Sequence, residues 1–176
     1  SGMEVRLARD GSLSFLDARG TVFRKEEPME WMGQAWTARA SLEPDAMIYG
    51  LGERAGRLNL RPGTYRLWNR DAGGAYGPGE DTLYITMPLY LCLAGSTASL
   101  VFHDNTFDGN ISLGERVEAR FSAGPARTYV GVGTPAVLLE RLASLTGTPA
   151  LPPRWALGYQ QSQWGYRTEA EMRRIR

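Results

Sequence analysis

Val117-Glu118-Ala119-Arg120-Phe121-Ser122 alternates apolar and polar residues without a break. Successive side chains on a strand point to opposite faces, so Val117, Ala119 and Phe121 are placed to face a core while Glu118, Arg120 and Ser122 face water. Similar runs of β-formers extend outward from it. Upstream they cover Glu4–Ala8, Leu13–Leu16, Thr21–Lys25, Trp36–Leu42, Met47–Leu51, Tyr65–Asn69, Thr82–Thr86, Leu89–Leu93 and Ser99–His103, and downstream Thr128–Val130. Spacing of roughly ten residues, with Asp10-Gly11, Arg19-Gly20 and Gly95-Ser96 between runs, is the pattern of an antiparallel sandwich or barrel. Leu89-Tyr90-Leu91-Cys92-Leu93 is apolar throughout and predicts a central strand covered on both sides, with Cys92 a packed thiol.

The pattern changes at Thr134. Thr134-Pro135 reads as an N-cap and first-turn pair, Leu138, Leu139, Leu142 and Leu145 follow at helical spacing, and Gly147 supplies the stop, giving a helix over about 134–146. Pro149-Ala150-Leu151-Pro152-Pro153 then forms a stiff connection whose prolines supply no amide donors, which marks a domain boundary. Beyond it Trp155–Gln160 is strand-like and Gln161–Arg167 is a polar and aromatic loop. Thr168-Glu169-Ala170-Glu171 is a capping box, with Glu171 expected to reach back to the N-cap amide. A lone strand and a two-turn helix have nothing to bury themselves against, so this segment reads as the first β/α unit of a larger domain. The division expected is a mainly β, antiparallel β-sandwich domain over 1–148 and the start of a second domain over 149–176, the whole being a truncated protein. Ser1 and Gly2 ahead of Met3 read as a cloning remnant.

Composition narrows the function. The chain has 176 residues, 20 basic against 19 acidic, one His and one Cys. Unclustered charge of net +1 gives no footprint for nucleic acid or an anionic membrane, and no apolar run approaches the roughly 20 residues of a spanning helix. No signal peptide opens the sequence, so a cytoplasmic location is expected. One His and one Cys cannot make a structural zinc site, and neither a metal nor a cofactor is expected. Gly131-Val132-Gly133 lacks the glycine spacing and lysine of a phosphate loop and reads as a tight strand-to-helix turn. Glu80-Asp81 reads as a solvated turn rather than an acid/base pair, and His103 as a polar residue at a strand end.

The stretch Leu67-Trp68-Asn69-Arg70-Asp71-Ala72-Gly73-Gly74-Ala75-Tyr76-Gly77-Pro78 differs from these. A strand ends in an Asn-Arg-Asp triplet and a glycine-rich, aromatic loop, and long loops on rigid scaffolds are where function concentrates. Aromatic faces beside carboxylate and guanidinium groups suit a sugar, whose C–H faces stack on rings while its hydroxyls donate to Asp and accept from Arg.

Three segments carry a resemblance to a known family. Tyr49-Gly50-Leu51-Gly52-Glu53-Arg54, Trp68-Asn69-Arg70-Asp71, and Leu145 to Tyr159 with Gln161 to Tyr166 together resemble family 31 of the glycoside hydrolases, the α-glucosidase and α-xylosidase family. The resemblance covers roughly 47–176. It implies an N-terminal β-sandwich leading into the first strand and helix of a truncated (β/α)8 barrel. It also implies that the loop after the Arg-Asp pair reaches toward the barrel mouth, with Asp71 hydrogen-bonding sugar hydroxyls and Arg70 beside it. Trp164 would line the sugar pocket from the C-terminal end of the first barrel strand, where barrel active sites lie. Relatives often carry Arg at position 163 and this sequence has Gln163, which leaves a charge-based role there unsupported.

The family's chemistry is retaining hydrolysis by two carboxylates about 5 to 5.5 Å apart. Both belong to later barrel strands, so no catalytic residue is expected in this chain. The resemblance thus implies the N-terminal part of a retaining, α-glucosidase-like enzyme, inactive as this fragment. Its expected partners are an α-glucoside-type oligosaccharide and the remainder of its own barrel. The competing reading is a non-catalytic carbohydrate-binding sandwich with Trp31, Trp36 and Trp68 as stacking platforms, and Pro152–Arg176 is the feature such a module would not need. A purely structural sandwich that shields the barrel is a third reading.

Overall fold

The computed structural model describes residues 2–74, 76–162 and 165–175. The chain divides into two compact units, the first ending at Leu142 and the second beginning at Ala143.

The first unit is built from strands β1 (Glu4–Leu7), β2 (Leu13–Leu16), β3 (Val22–Glu26), β4 (Glu30–Met32), β5 (Ala35–Ser41), β6 (Met47–Gly52), β7 (Gly63–Leu67), β8 (Thr86–Ala94), β9 (Thr97–His103), β10 (Gly109–Leu113), β11 (Arg116–Phe121) and β12 (Thr128–Gly133). One antiparallel sheet runs β1-β2-β3-β5-β11-β10-β7, with β4 paired to β5, and the other runs β12-β9-β8-β6. Their inner faces share a core in which Trp36, Ile111, Val117 and Phe121 of the first sheet meet Ile48, Leu51, Tyr90 and Val101 of the second. The alternation of β11 is the one read from the sequence: Val117, Ala119 and Phe121 are buried, while Arg120 and Ser122 are exposed.

Thr134 starts helix α1 (Pro135–Thr146), its hydroxyl accepting from the Val137 amide at 3.4 Å and its carbonyl from Leu138 at 3.0 Å. Leu138 is buried against Ala98 and Leu100, and Leu89, Leu91, Leu93 and Leu142 pack around them. β8 therefore sends Tyr90 into the inter-sheet core and its leucines under the helix, so both of its faces are covered. Cys92 packs at the edge of the shared core, where burial pushes its thiol pKa up. Of the four leucines at helical spacing, Leu139 and Leu145 are exposed instead.

Two buried polar residues were not read as core. Arg24 donates from Nη1 to the Tyr90 hydroxyl at 2.8 Å and from Nε to Glu26 at 2.6 Å, and these partners offset the desolvation of its charge. His103, expected as a strand-end polar residue, is 1% exposed among the rings of Trp36, Tyr90 and Phe121.

The second unit contains a 3-10 helix (Arg154–Leu157) and α2 (Glu169–Ile175). The strand expected over Trp155–Gln160 is replaced by that 3-10 turn, with Ala156 bonding back to Pro153 O at 2.9 Å and Gly158 to Trp155 O at 3.2 Å. A parallel strand takes its hydrogen bonds from neighbours on either side. None is available in this unit among the described residues, and Trp155, Leu157 and Tyr159 stand exposed. At α2 the Thr168 hydroxyl accepts from the Glu171 amide at 3.1 Å as expected, but the Glu171 carboxylate reaches the amide of Arg167 rather than that of Thr168. Among the described residues no helix is long and apolar enough to cross a membrane.

Candidate functional site

β7 leads directly into the Trp68–Pro78 stretch, and the chain returns through Gly79–Ile85 to β8. The Thr82–Thr86 strand expected on that return is absent, because Thr82 sits at φ +62°. That left-handed geometry is rare for a β-branched residue and interrupts any ladder. Single hydrogen bonds tie the two arms instead. Arg70 N donates to Leu83 O at 2.8 Å and the Thr86 hydroxyl to Trp68 O at 2.9 Å, while Gly79 N donates to Ala55 O, just after β6, at 2.5 Å. Leu83 is buried and anchors the return arm.

Glu80 and Asp81 are not a free solvated turn. Glu80 Oε1 receives Arg70 Nη2 at 2.5 Å, and Arg70 Nε also donates to Thr82 O at 3.3 Å. Asp81 pairs with Arg54 and accepts the Arg66 amide at 2.8 Å through its other oxygen. Arg70 is thus tied across the loop to Glu80 rather than to its neighbour Asp71.

Asp71 is exposed at the start of the loop, and its Oδ1 accepts the Gly73 amide at 2.8 Å. That amide first, and the Tyr84 hydroxyl second, hold its carboxyl below the usual carboxylate range. The group is therefore ionised at neutral pH, and both its oxygens can accept sugar hydroxyls. The rings of Trp68, Tyr76 and Tyr84 stand about half exposed on the same segment, with the Arg66 guanidinium 5.0 Å from the Trp68 ring centre. Gln163 and Trp164 lie outside the described residues. Among those described, no group of three or more His, Cys, Asp or Glu side chains could hold a metal ion.

The outer face of the first sheet carries an open groove of about 880 Å³. Thr37, Arg120, Asn110 and Arg66 form a cross-strand row along it. Its charged groups are turned on protein partners: Arg66 bonds Asp108 at 2.9 Å and Arg120 bonds Glu118 at 2.7 Å. Trp36 cannot be a stacking platform. It is buried, its ring centre is 4.5 Å from that of Phe121, and its indole N–H donates to Gly124 O at 3.2 Å.

The sequence pattern showed Glu53 and Arg54 only as part of a motif and Asp81 only as a solvated turn residue, and it did not single out Tyr84. The signal that could have found them is Gly50 and Gly52 inside a strand pattern, which marks a bulge and hence a redirected segment just after it.

Residues 1–111 match the model of the glycosyl hydrolase 31 N-terminal galactose mutarotase-like domain, and residues 149–176 match that of the glycosyl hydrolases family 31 TIM-barrel domain. The chain belongs to glycosyl hydrolase family 31. Among its relatives, α-glucosidase 2 of Bacillus thermoamyloliquefaciens is 40% identical over 132 residues, which is 73% of this chain and 17% of that protein. A Flavobacterium johnsoniae family 31 dextranase, solved with isomaltotriose, superposes with a TM-score of 0.82 at 25% identity, over 89% of this chain and 20% of that one. The family 31 α-glucosidase of Bacteroides thetaiotaomicron gives a TM-score of 0.64 at 35% identity, over 73% of this chain and 23% of that one. The chain thus spans about a fifth of the length of such relatives.

Proposed function

We propose that this chain is the N-terminal part of a retaining, α-glucosidase-like glycosidase, with a sandwich domain over 1–148 and the opening of a catalytic (β/α)8 barrel over 149–176. The sandwich contributes a substrate-binding loop in which the ionised Asp71 accepts sugar hydroxyls. Arg70 braces the loop and offers its remaining N–H groups, and Trp164, outside the described residues, keeps the sugar-pocket role that the family resemblance implies. The catalytic carboxylates belong to later barrel strands. The observation that carries this reading is Asp71, an exposed carboxylate kept ionised at the head of a loop braced across its two arms. The isomaltotriose and glucose held by the Flavobacterium dextranase support an α-glucoside-type oligosaccharide as ligand.

The test compares turnover of an aryl α-glucoside by the intact enzyme and by the 176-residue chain. The intact enzyme releases the sugar with retained anomeric configuration, and the chain alone gives none above background. Turnover by the chain, or inversion by the intact enzyme, contradicts the proposal.

A further inference from the structure

At the end of β6 the backbone leaves regular geometry for three successive residues, with φ +122° at Gly50, +62° at Leu51 and +86° at Gly52. The pairing with β8 slips there, from Gly50 opposite Tyr90 to Gly52 opposite Thr86. A Cβ on Gly50 would lie 2.6 Å from Leu89 O, and one on Gly52 would run into Ile85 O, so only glycine lets β6 approach β8 this closely. Leu51, in a conformation costly for a side-chain-bearing residue, is fully buried and holds the bulge in place.

The bulge turns the next two residues toward the loop that carries Asp71. Arg54 donates from Nε and Nη2 to Leu51 O at 3.1 and 3.0 Å and from Nη1 to Asp81, with its side chain 4% exposed. The second Asp81 oxygen receives the Arg66 amide at 2.8 Å, so the Asp81 carboxylate, held by one buried guanidinium, fastens the return arm of the loop to its entry strand β7. Glu53 donates its amide to Ile85 O at 2.8 Å and accepts the Tyr84 amide on Oε2 at 3.2 Å. The Tyr84 hydroxyl in turn helps to hold the Asp71 carboxyl below its usual range.

We infer that Glu53 and Arg54 are positioning residues of the loop that carries Asp71: Arg54 locks its two arms through Asp81, and Glu53 pins the return arm at Tyr84 and Ile85. Neither need touch the ligand. The inference rests on the proposed sugar-binding role of Asp71 for its functional consequence, but not for its geometry.

The experiment uses two readouts. In the intact enzyme, kcat and KM on a disaccharide are measured for Glu53→Ala, Glu53→Gln, Arg54→Lys and Tyr84→Phe, with Asp71→Asn as control. In the 176-residue chain, amide exchange at Gly73 is followed for the same variants. Glu53→Ala and Arg54→Lys lower kcat/KM on the order of 10- to 100-fold, the scale of a misplaced group acting at a distance. Both accelerate Gly73 exchange while core amides such as Ile111 and Val101 stay protected. Glu53→Gln keeps an acceptor oxygen and restores both readouts. Tyr84→Phe keeps the amide that Glu53 holds, so Gly73 and core exchange stay at the parent rate. Unchanged Gly73 exchange in Glu53→Ala and Arg54→Lys overturns the inference. So does a Glu53→Gln variant as impaired as Glu53→Ala, and so does loss of activity that tracks core exchange alone. If Asp71→Asn retains full kcat/KM while Gly73 exchange still rises, the sugar-binding role of Asp71 fails and the positioning geometry stands.

Discussion

Arg70 Nη2 lies 2.5 Å from Glu80 Oε1, an ion pair that spans ten residues and closes the glycine-rich loop beside Asp71. Both side chains are more than two-fifths exposed, so water and salt screen the attraction. Glu80→Ala should therefore cost at most about 1 kcal/mol of global stability. Its effect falls on the loop: limited proteolysis between Asp71 and Gly79 is expected to speed up, and raising salt to about 1 M should accelerate nicking of the parent chain toward the rate of the variant. Equal cleavage rates at low salt would contradict the brace.

His103 sets an acid limit on the sandwich. Its Nδ1 meets the Thr128 hydroxyl at 2.9 Å, while Nε2 is buried with no hydrogen-bond partner among the described residues. Burial, helped by the charge of Arg24, pushes its pKa down to about 3. The fold thus holds the neutral imidazole. Its stabilisation is complete above the unfolded value of about 6.5 and is lost as pH falls from there toward 3. Urea unfolding should show about 1.4 kcal/mol per pH unit of extra stability loss in that window relative to His103→Phe. A variant with the same pH slope as the parent would contradict a buried neutral His103.

The inter-sheet core hinges on Trp36 and Phe121, whose ring centres are 4.5 Å apart. Phe121→Ala removes a buried ring that contacts both sheets and should destabilise the sandwich by about 3–5 kcal/mol in urea unfolding. A cost below about 1 kcal/mol would mean that the two sheets do not share this core.

How much of this was legible in the sequence follows from where each residue finds its partners. The alternation of Val117 to Ser122 and the cap at Thr134 are local signals, and the corresponding strand and helix form where they were read. Trp155–Gln160 was misread because a parallel strand exists only with neighbours that this unit does not describe. Glu30–Met32 and Gly109–Leu113 were missed because a three-residue edge strand and a strand opening Gly-Asn carry little periodic pattern. At the site, the Asn-Arg-Asp triplet and the aromatic loop were visible from composition. The partners that fix the loop were not: Glu80 is ten residues from Arg70 and Asp81 is 27 from Arg54, and no periodicity records such pairings. His103 hid for the same reason, since its burial is decided by rings from other strands.

The central claim is that Asp71 binds sugar, and the direct measurement is kcat/KM of the intact enzyme and its Asp71→Ala variant on an α-linked disaccharide. Loss of a charged hydrogen-bond acceptor predicts a fall equivalent to about 1–3 kcal/mol, roughly 5- to 150-fold. An unchanged kcat/KM, in a variant that folds as stably as the parent, would contradict it.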